Sequence, residues 1–80
     1  ETSVVVFPNP TSETVTVNTP DDNINAITII SIDGRELKKY LNPQTTNQFT
    51  INTSDLGVGF YNLKIETTNG VLHKKIIVRR

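Results

Sequence analysis

The chain offers few residues that could do chemistry. His73 is its only imidazole and sits between Leu72 and Lys74, in a segment whose alternation predicts a strand. There it is expected to stand half exposed, facing Glu66 across a hairpin, rather than to serve as a base. The serines Ser3, Ser12, Ser31 and Ser54 fall in turns or beside strands with no base close in sequence, and cysteine is absent. Gly57-Val58-Gly59 lacks a following helix whose N-terminal dipole would hold a phosphate. Asp21-Asp22-Asn23 presents hard oxygens of the kind calcium prefers, but three such residues behind Pro20 read as an ordinary turn. Asn52-Thr53-Ser54 has the spacing of a glycosylation acceptor, which has meaning only in a eukaryotic secretory setting. No catalytic residue, metal ligand or cofactor is expected.

The basic cluster Lys74, Lys75, Arg79 and Arg80 has two readings. One is an edge strand guarded by charge against sheet-to-sheet aggregation. The other is an electrostatic handle for an acidic receptor or an anionic glycolipid surface.

The elements that carry these residues are strands. Val, Ile and Thr dominate the composition, whereas Ala occurs once and Met, Cys and Trp never. β-branched side chains fit a pleated sheet and lose rotamer freedom in a helix, so an all-β fold is expected. Eighty residues suit one domain, spanning 1–80, with residues 1–3 as a linker remnant. Eight basic and eight acidic residues cancel, which argues against nucleic acid as a partner. No apolar run approaches the roughly 20 residues that cross a bilayer, and no signal peptide is expected in the opening residues.

Seven strands are predicted: Val4 to Phe7, Thr14 to Thr19, Ile24 to Asp33, Glu36 to Leu41, Gln48 to Asn52, and a closing pair from Gly59 to Arg80. Pro8-Asn9-Pro10 stops the first, because two prolines remove two ladder donors. Ile24 to Asp33 is apolar at both parities, so it is expected to be central, covered on both faces or bulged near Thr28. Glu36 to Leu41 is expected at an edge. Asn69-Gly70 predicts a two-residue type I′ turn, pairing Thr68 with Val71, Leu63 with Ile76 and Tyr61 with Val78. The expected core is Val15, Val17, Ile30, Ile32, Phe49, Ile51, Leu56, Tyr61, Leu63, Ile65, Ile76 and Val78. Strands at this spacing suggest a two-layer sandwich or a small barrel.

Several segments, taken in order, resemble one family. Val6-Phe7-Pro8-Asn9-Pro10 with Glu13-Thr14-Val15-Thr16-Val17 is similar to the opening of the type A C-terminal sorting domain of type IX secretion substrates, found in Bacteroidota. Ile30-Ser31-Ile32-Asp33-Gly34-Arg35-Glu36-Leu37 resembles its middle strands. Asp55-Leu56, Gly59-Phe60-Tyr61-Asn62-Leu63-Lys64-Ile65, Gly70 and Lys74-Lys75-Ile76-Ile77-Val78 resemble its closing blocks. The likeness runs from residue 4 to residue 80. Phe60 stands where an aliphatic residue is usual, and Phe7 where tyrosine is commoner.

The resemblance implies a seven-stranded immunoglobulin-like β-sandwich without catalytic activity. It implies a secretion signal that takes a covalently linked N-terminal passenger from the periplasm across the outer membrane, to the cell surface or the medium. Its partners would be the outer-membrane translocon or a shuttle protein, and a cell-surface sortase that removes the domain. Pro8, Asn9 and Pro10 would correspond to the opening motif, Gly59 and Tyr61 to the glycine-aromatic block, and Lys75, Ile76 and Val78 to the terminal strand. The partner-reading element is expected to be the terminal hairpin, including Gly70, Lys74, Lys75 and the strand to Arg79 and Arg80. The competing expectation is an accessory adhesive or carbohydrate-binding sandwich, which needs exposed aromatics; Tyr40 and Phe60 are the candidates.

Overall fold

The structure, a computed structural model, describes residues 4–7 and 13–79. Seven strands follow in chain order: β1 (Val5–Phe7), β2 (Thr14–Asn18), β3 (Ile24–Ser31), β4 (Glu36–Leu41), β5 (Gln48–Asn52), β6 (Gly59–Thr67) and β7 (Gly70–Val78). They form a three-stranded sheet ordered β1-β2-β5 and a four-stranded sheet ordered β4-β3-β6-β7. All neighbours are antiparallel. The result is an immunoglobulin-like β-sandwich. Pro8, Asn9 and Pro10, and Arg80, lie outside the described residues.

The alternation that predicted β2 decides its burial. Val15 and Val17 are fully buried, while Thr14 is exposed and Thr16 and Asn18 only half-buried. Beside them in the same sheet stands Ile51 of β5, and across the interlayer space they meet Ile24, Ile27, Ile29, Leu63, Ile65, Ile76 and Val78 from the larger sheet. Burying such a side chain stabilises by about 1.5–3 kcal/mol, and this cluster is the main favourable term in so small a body.

β3 is central, with Ala26, Ile27, Thr28 and Ile29 all buried, but its core-facing parity is opposite to the one expected. Ile24 pairs with Thr67 and Ala26 with Glu66, so Asn25 is an extra residue bulged out of the ladder. A bulge reverses which parity faces inward. Past it Ile27 and Ile29 enter the core, Ile30 is half-buried on the outer face and Ile32 is 77% exposed. The extra residue has a use, because the Asn25 carbonyl accepts from the Asn42 amide at 2.9 Å. A second irregularity, between Ile29 and Ile30, lies in the pairing with β4.

The closing hairpin also corrects its expectation. Thr67 pairs with Gly70, which leaves Thr68 and Asn69 as the two-residue loop. Gly70 carries the positive φ, +141°, and Asn69 does not. The turn is drawn one residue earlier by one side-chain and one backbone bond: the Thr67 hydroxyl donates to the Gly70 carbonyl at 2.8 Å, and the Thr68 backbone amide donates to the Asn23 carbonyl at 3.1 Å. Tyr61 therefore faces Ile76, Leu63 faces Lys74, Gly59 faces Val78, and His73 faces Lys64 rather than Glu66. The pairs shift by two positions, an even number, so every side chain keeps its face. Leu63, Ile65, Ile76 and Val78 are fully buried, and Tyr61 is half-buried against them.

Both outer strands of the larger sheet place a lysine on the core-facing side. Lys38 of β4 pairs with Ile29, and Lys74 of β7 pairs with Leu63. Neither is buried. Lys38 reaches sideways to Asp55 at 2.7 Å, a hydrogen bond that raises its pKa. Tyr40, on the same side of β4, packs against the core and donates its hydroxyl to the Asn52 carbonyl at 3.0 Å.

Candidate functional site

The strands run between two poles of the sandwich. The first pole gathers the β2–β3 turn, the β4–β5 loop and the β6–β7 turn. Backbone amides of Thr19 and Ile24 donate to the carbonyls of Asn47 and Thr46 at 2.8 and 2.7 Å. The buried Asn42 amide donates to the Ile24 carbonyl at 2.9 Å and to the Thr46 hydroxyl at 3.1 Å. Asp22, 7% exposed, accepts from the Asn23 amide at 2.8 Å and from the Thr68 hydroxyl. Hydroxyl hydrogen bonds, from Thr68 first and then Thr67, stabilise its ionised form and lower its pKa to about 2. In this setting Asp22 locks one turn to another. Among the described residues no group of three or more acidic, histidine or cysteine side chains is placed to hold a metal.

The second pole is built by the end of β3, the start of β6 and the end of β7. Along the outer face, cross-strand register aligns Glu36, Ile30, Asn62 and Lys75 in one row and Phe60 with Ile77 in the next. Phe60 is 53% exposed, and the Lys75 ammonium lies over its ring, 5.8 Å from the centroid. Ile32, Phe60, Tyr61, Asn62 and Lys75 line a cavity of about 300 Å³. Tyr61, one of the lining residues, is fixed by its hydroxyl, which donates to the Gly57 carbonyl at 2.7 Å. Gly59, at φ +153°, starts β6 here in a conformation that favours glycine. Two acidic side chains of the flanking turns have partners: Asp33 faces Arg35 at 3.7 Å, and Asp55 faces Lys38 at 2.7 Å. The Ser31 hydroxyl also donates to Asp33, whose pKa is lowered chiefly by that bond.

The residues singled out in the sequence separate between these regions. Gly59, Tyr61, Lys75 and the exposed Arg79 come together at the second pole, whereas Gly70 lies at the first. Lys74 and Lys75 point to opposite faces of β7. The side chains of Ile76 and Val78 are fully buried, so these two residues present only their backbone at the edge of the sheet. His73 is exposed on the outer face, and Tyr40 is turned inward, which removes it as a platform for sugars. Sequence reasoning missed Ile32 as a surface residue and Asp22 as a clamp. The alternation of Lys75 and Ile77 in β7, continued by Arg79 just beyond it, was the signal for the outer face of this pole.

Comparison with known proteins gives the geometry a family. The model of the secretion system C-terminal sorting domain matches residues 5–79. No curated protein matches the chain. Among solved structures, the fold is similar to that of CopC from Methylosinus trichosporium OB3b, with a TM-score of 0.58 and 15% identity. That likeness covers 98% of this chain and 91% of the other, and it concerns the fold alone. No helix among the described residues is long and apolar enough to cross a membrane. Matched over nearly its whole length by that model, the chain belongs to the secretion system C-terminal sorting domain family, a type IX secretion sorting signal.

Proposed function

We propose that residues 1–80 form one non-catalytic domain that directs a covalently linked N-terminal passenger from the periplasm across the outer membrane by the type IX system. The translocon or its shuttle reads the terminal hairpin, and a cell-surface sortase then cuts upstream of the sandwich. The carrying observation is the family match over residues 5–79. The arrangement of polar groups supports it: the Asp22 carboxylate and the Ser31 hydroxyl are both engaged in turns. Residues 4–7 enter the sandwich near the first pole, where Val5 pairs with Asn18, and β7 finishes at the second. A passenger joined ahead of residue 1 therefore leaves the closing end of β7 accessible.

The test is a periplasm-directed fluorescent reporter fused ahead of residue 1 in a type IX-competent host. Export to the surface or medium is expected, with the reporter's new C-terminus located by mass spectrometry upstream of Val4. Removing residues 76–80 should leave the reporter in the periplasm, and undiminished export would overturn the reading. Because that deletion also takes Ile76 and Val78 from the core, Lys75→Ala and Arg79→Ala serve as gentler probes in folded protein.

A further inference from the structure

Resting on that reading, we infer that the cavity at the second pole is a docking site for an extended polypeptide segment of the secretion machinery that carries a bulky apolar side chain beside an acidic residue. The apolar side chain enters between Ile32 and Phe60, and the carboxylate meets Lys75.

Three observations carry the proposal. First, Ile32 and Phe60 are 77% and 53% exposed, and with the half-buried Ile30 and Ile77 they form an apolar stretch on an outer face. Exposed apolar groups gathered in one place, unlike scattered ones, mark interaction surfaces. Second, the cavity of about 300 Å³ is at the small end of ligand pockets and suits one or two side chains rather than a large ligand. Third, the charge is directional. Lys75 lines the cavity from the β7 side and, among the described residues, no acidic one is part of its lining, while Asp33 and Asp55 pair with Arg35 and Lys38. Glu36, at the other end of the row, lies three strands from Lys75, about 14 Å across the sheet. An acidic side chain in the partner is therefore drawn to the β7 side and repelled from β4, which sets its orientation. The Lys75–Phe60 stacking holds the ammonium at the rim before the partner arrives.

A lipid surface fits less well. Polybasic membrane contacts use four to eight clustered cations, whereas this outer face interleaves Lys39, Lys64 and Lys75 with Glu36 and Glu66. Lys39 and Lys64 each also approach Glu66, at 4.0 Å.

The experiment titrates the 15N-labelled 80-residue chain with two capped hexapeptides sharing a Leu-Phe centre, one flanked by acidic and one by basic residues. The acidic peptide should shift the amide signals of Ile32, Phe60, Asn62 and Lys75, and about 0.5 M salt should weaken it. Phe60→Thr should weaken binding roughly tenfold, as loss of an aromatic anchor does. Lys75→Glu should reverse the preference between the two peptides. Spectral dispersion of each variant reports that it is folded. Equal response to both peptides, no response, or shifts confined to the β7 edge or the first pole would overturn the proposal. So would broadening of these signals by phosphatidylglycerol vesicles when neither peptide shifts them, which would assign the site to a membrane surface. In the export assay, normal secretion of the Phe60→Thr, Lys75→Glu double variant rejects the docking site while the sorting function stands. An unmodified fusion that stays in the periplasm rejects the sorting function, whatever the peptides do.

Discussion

At the first pole Asp22, Asn42, Thr46 and Thr68 are polar, and their hydrogen bonds join three turns to one another. At the second pole Ile32 and Phe60 are apolar, yet they stand in solvent beside Lys75. The usual distribution is inverted at both ends of the same sheet. The buried polar network fixes one arrangement of the turns, with Asp22 accepting through Oδ1. Exposed apolar surface is retained where something is to cover it. On the docking proposal, the contrast divides the molecule into an end that maintains the fold and an end that meets a partner.

Substitutions ordered by expected effect test that division. Ile29→Ala, in the core between the poles, sets the upper scale with a loss of about 2–5 kcal/mol in urea denaturation. Asn42→Ala strikes the first pole and leaves the Ile24 carbonyl without its side-chain donor, for a loss of about 1–3 kcal/mol by the same measurement. Acid should loosen that pole as well. Asp22 is lowered from 3.8 to about 2, so its contribution is complete above about pH 4 and is lost as pH falls through 2. Amide exchange at Asn23 and Thr68 should rise across that window, and Asp22→Asn should abolish the rise. Tyr61→Phe removes the anchor under the second pole, but the bond to Gly57 is exposed, so about 0.5 kcal/mol is expected. Phe60→Thr should change stability by no more than about 0.5 kcal/mol, since its ring is largely in water. A large loss from Phe60→Thr with none from Asn42→Ala would invert the assignment of the two ends.

Much of this architecture was legible wherever alternation was unbroken. Val15 and Val17 in β2, and Leu63, Ile65, Ile76 and Val78 in the hairpin, announce their face by parity. β3 does not, because isoleucines occupy both parities and a bulge at Asn25 decides between them. No local signal marks that bulge; its carbonyl is used by Asn42, a residue far along the chain. The hairpin turn failed for a similar reason. Asn69-Gly70 is a strong local signal, but Thr67 and Thr68 draw the loop one residue earlier through bonds to Gly70 and Asn23. The even shift preserved the faces, so Leu63, Ile65, Ile76 and Val78 still reach the core as expected, whereas Ile32, expected there too, stands at the surface. Finding the cavity needed the relative placement of three strands, which a single sequence does not contain.

The inward lysines of β4 and β7 carry a consequence of their own. Any additional ribbon laid alongside Lys38 or Lys74 would have to strip water from an ammonium group, so the larger layer is closed to growth on both flanks. Strand-by-strand stacking of copies through that layer is thereby disfavoured.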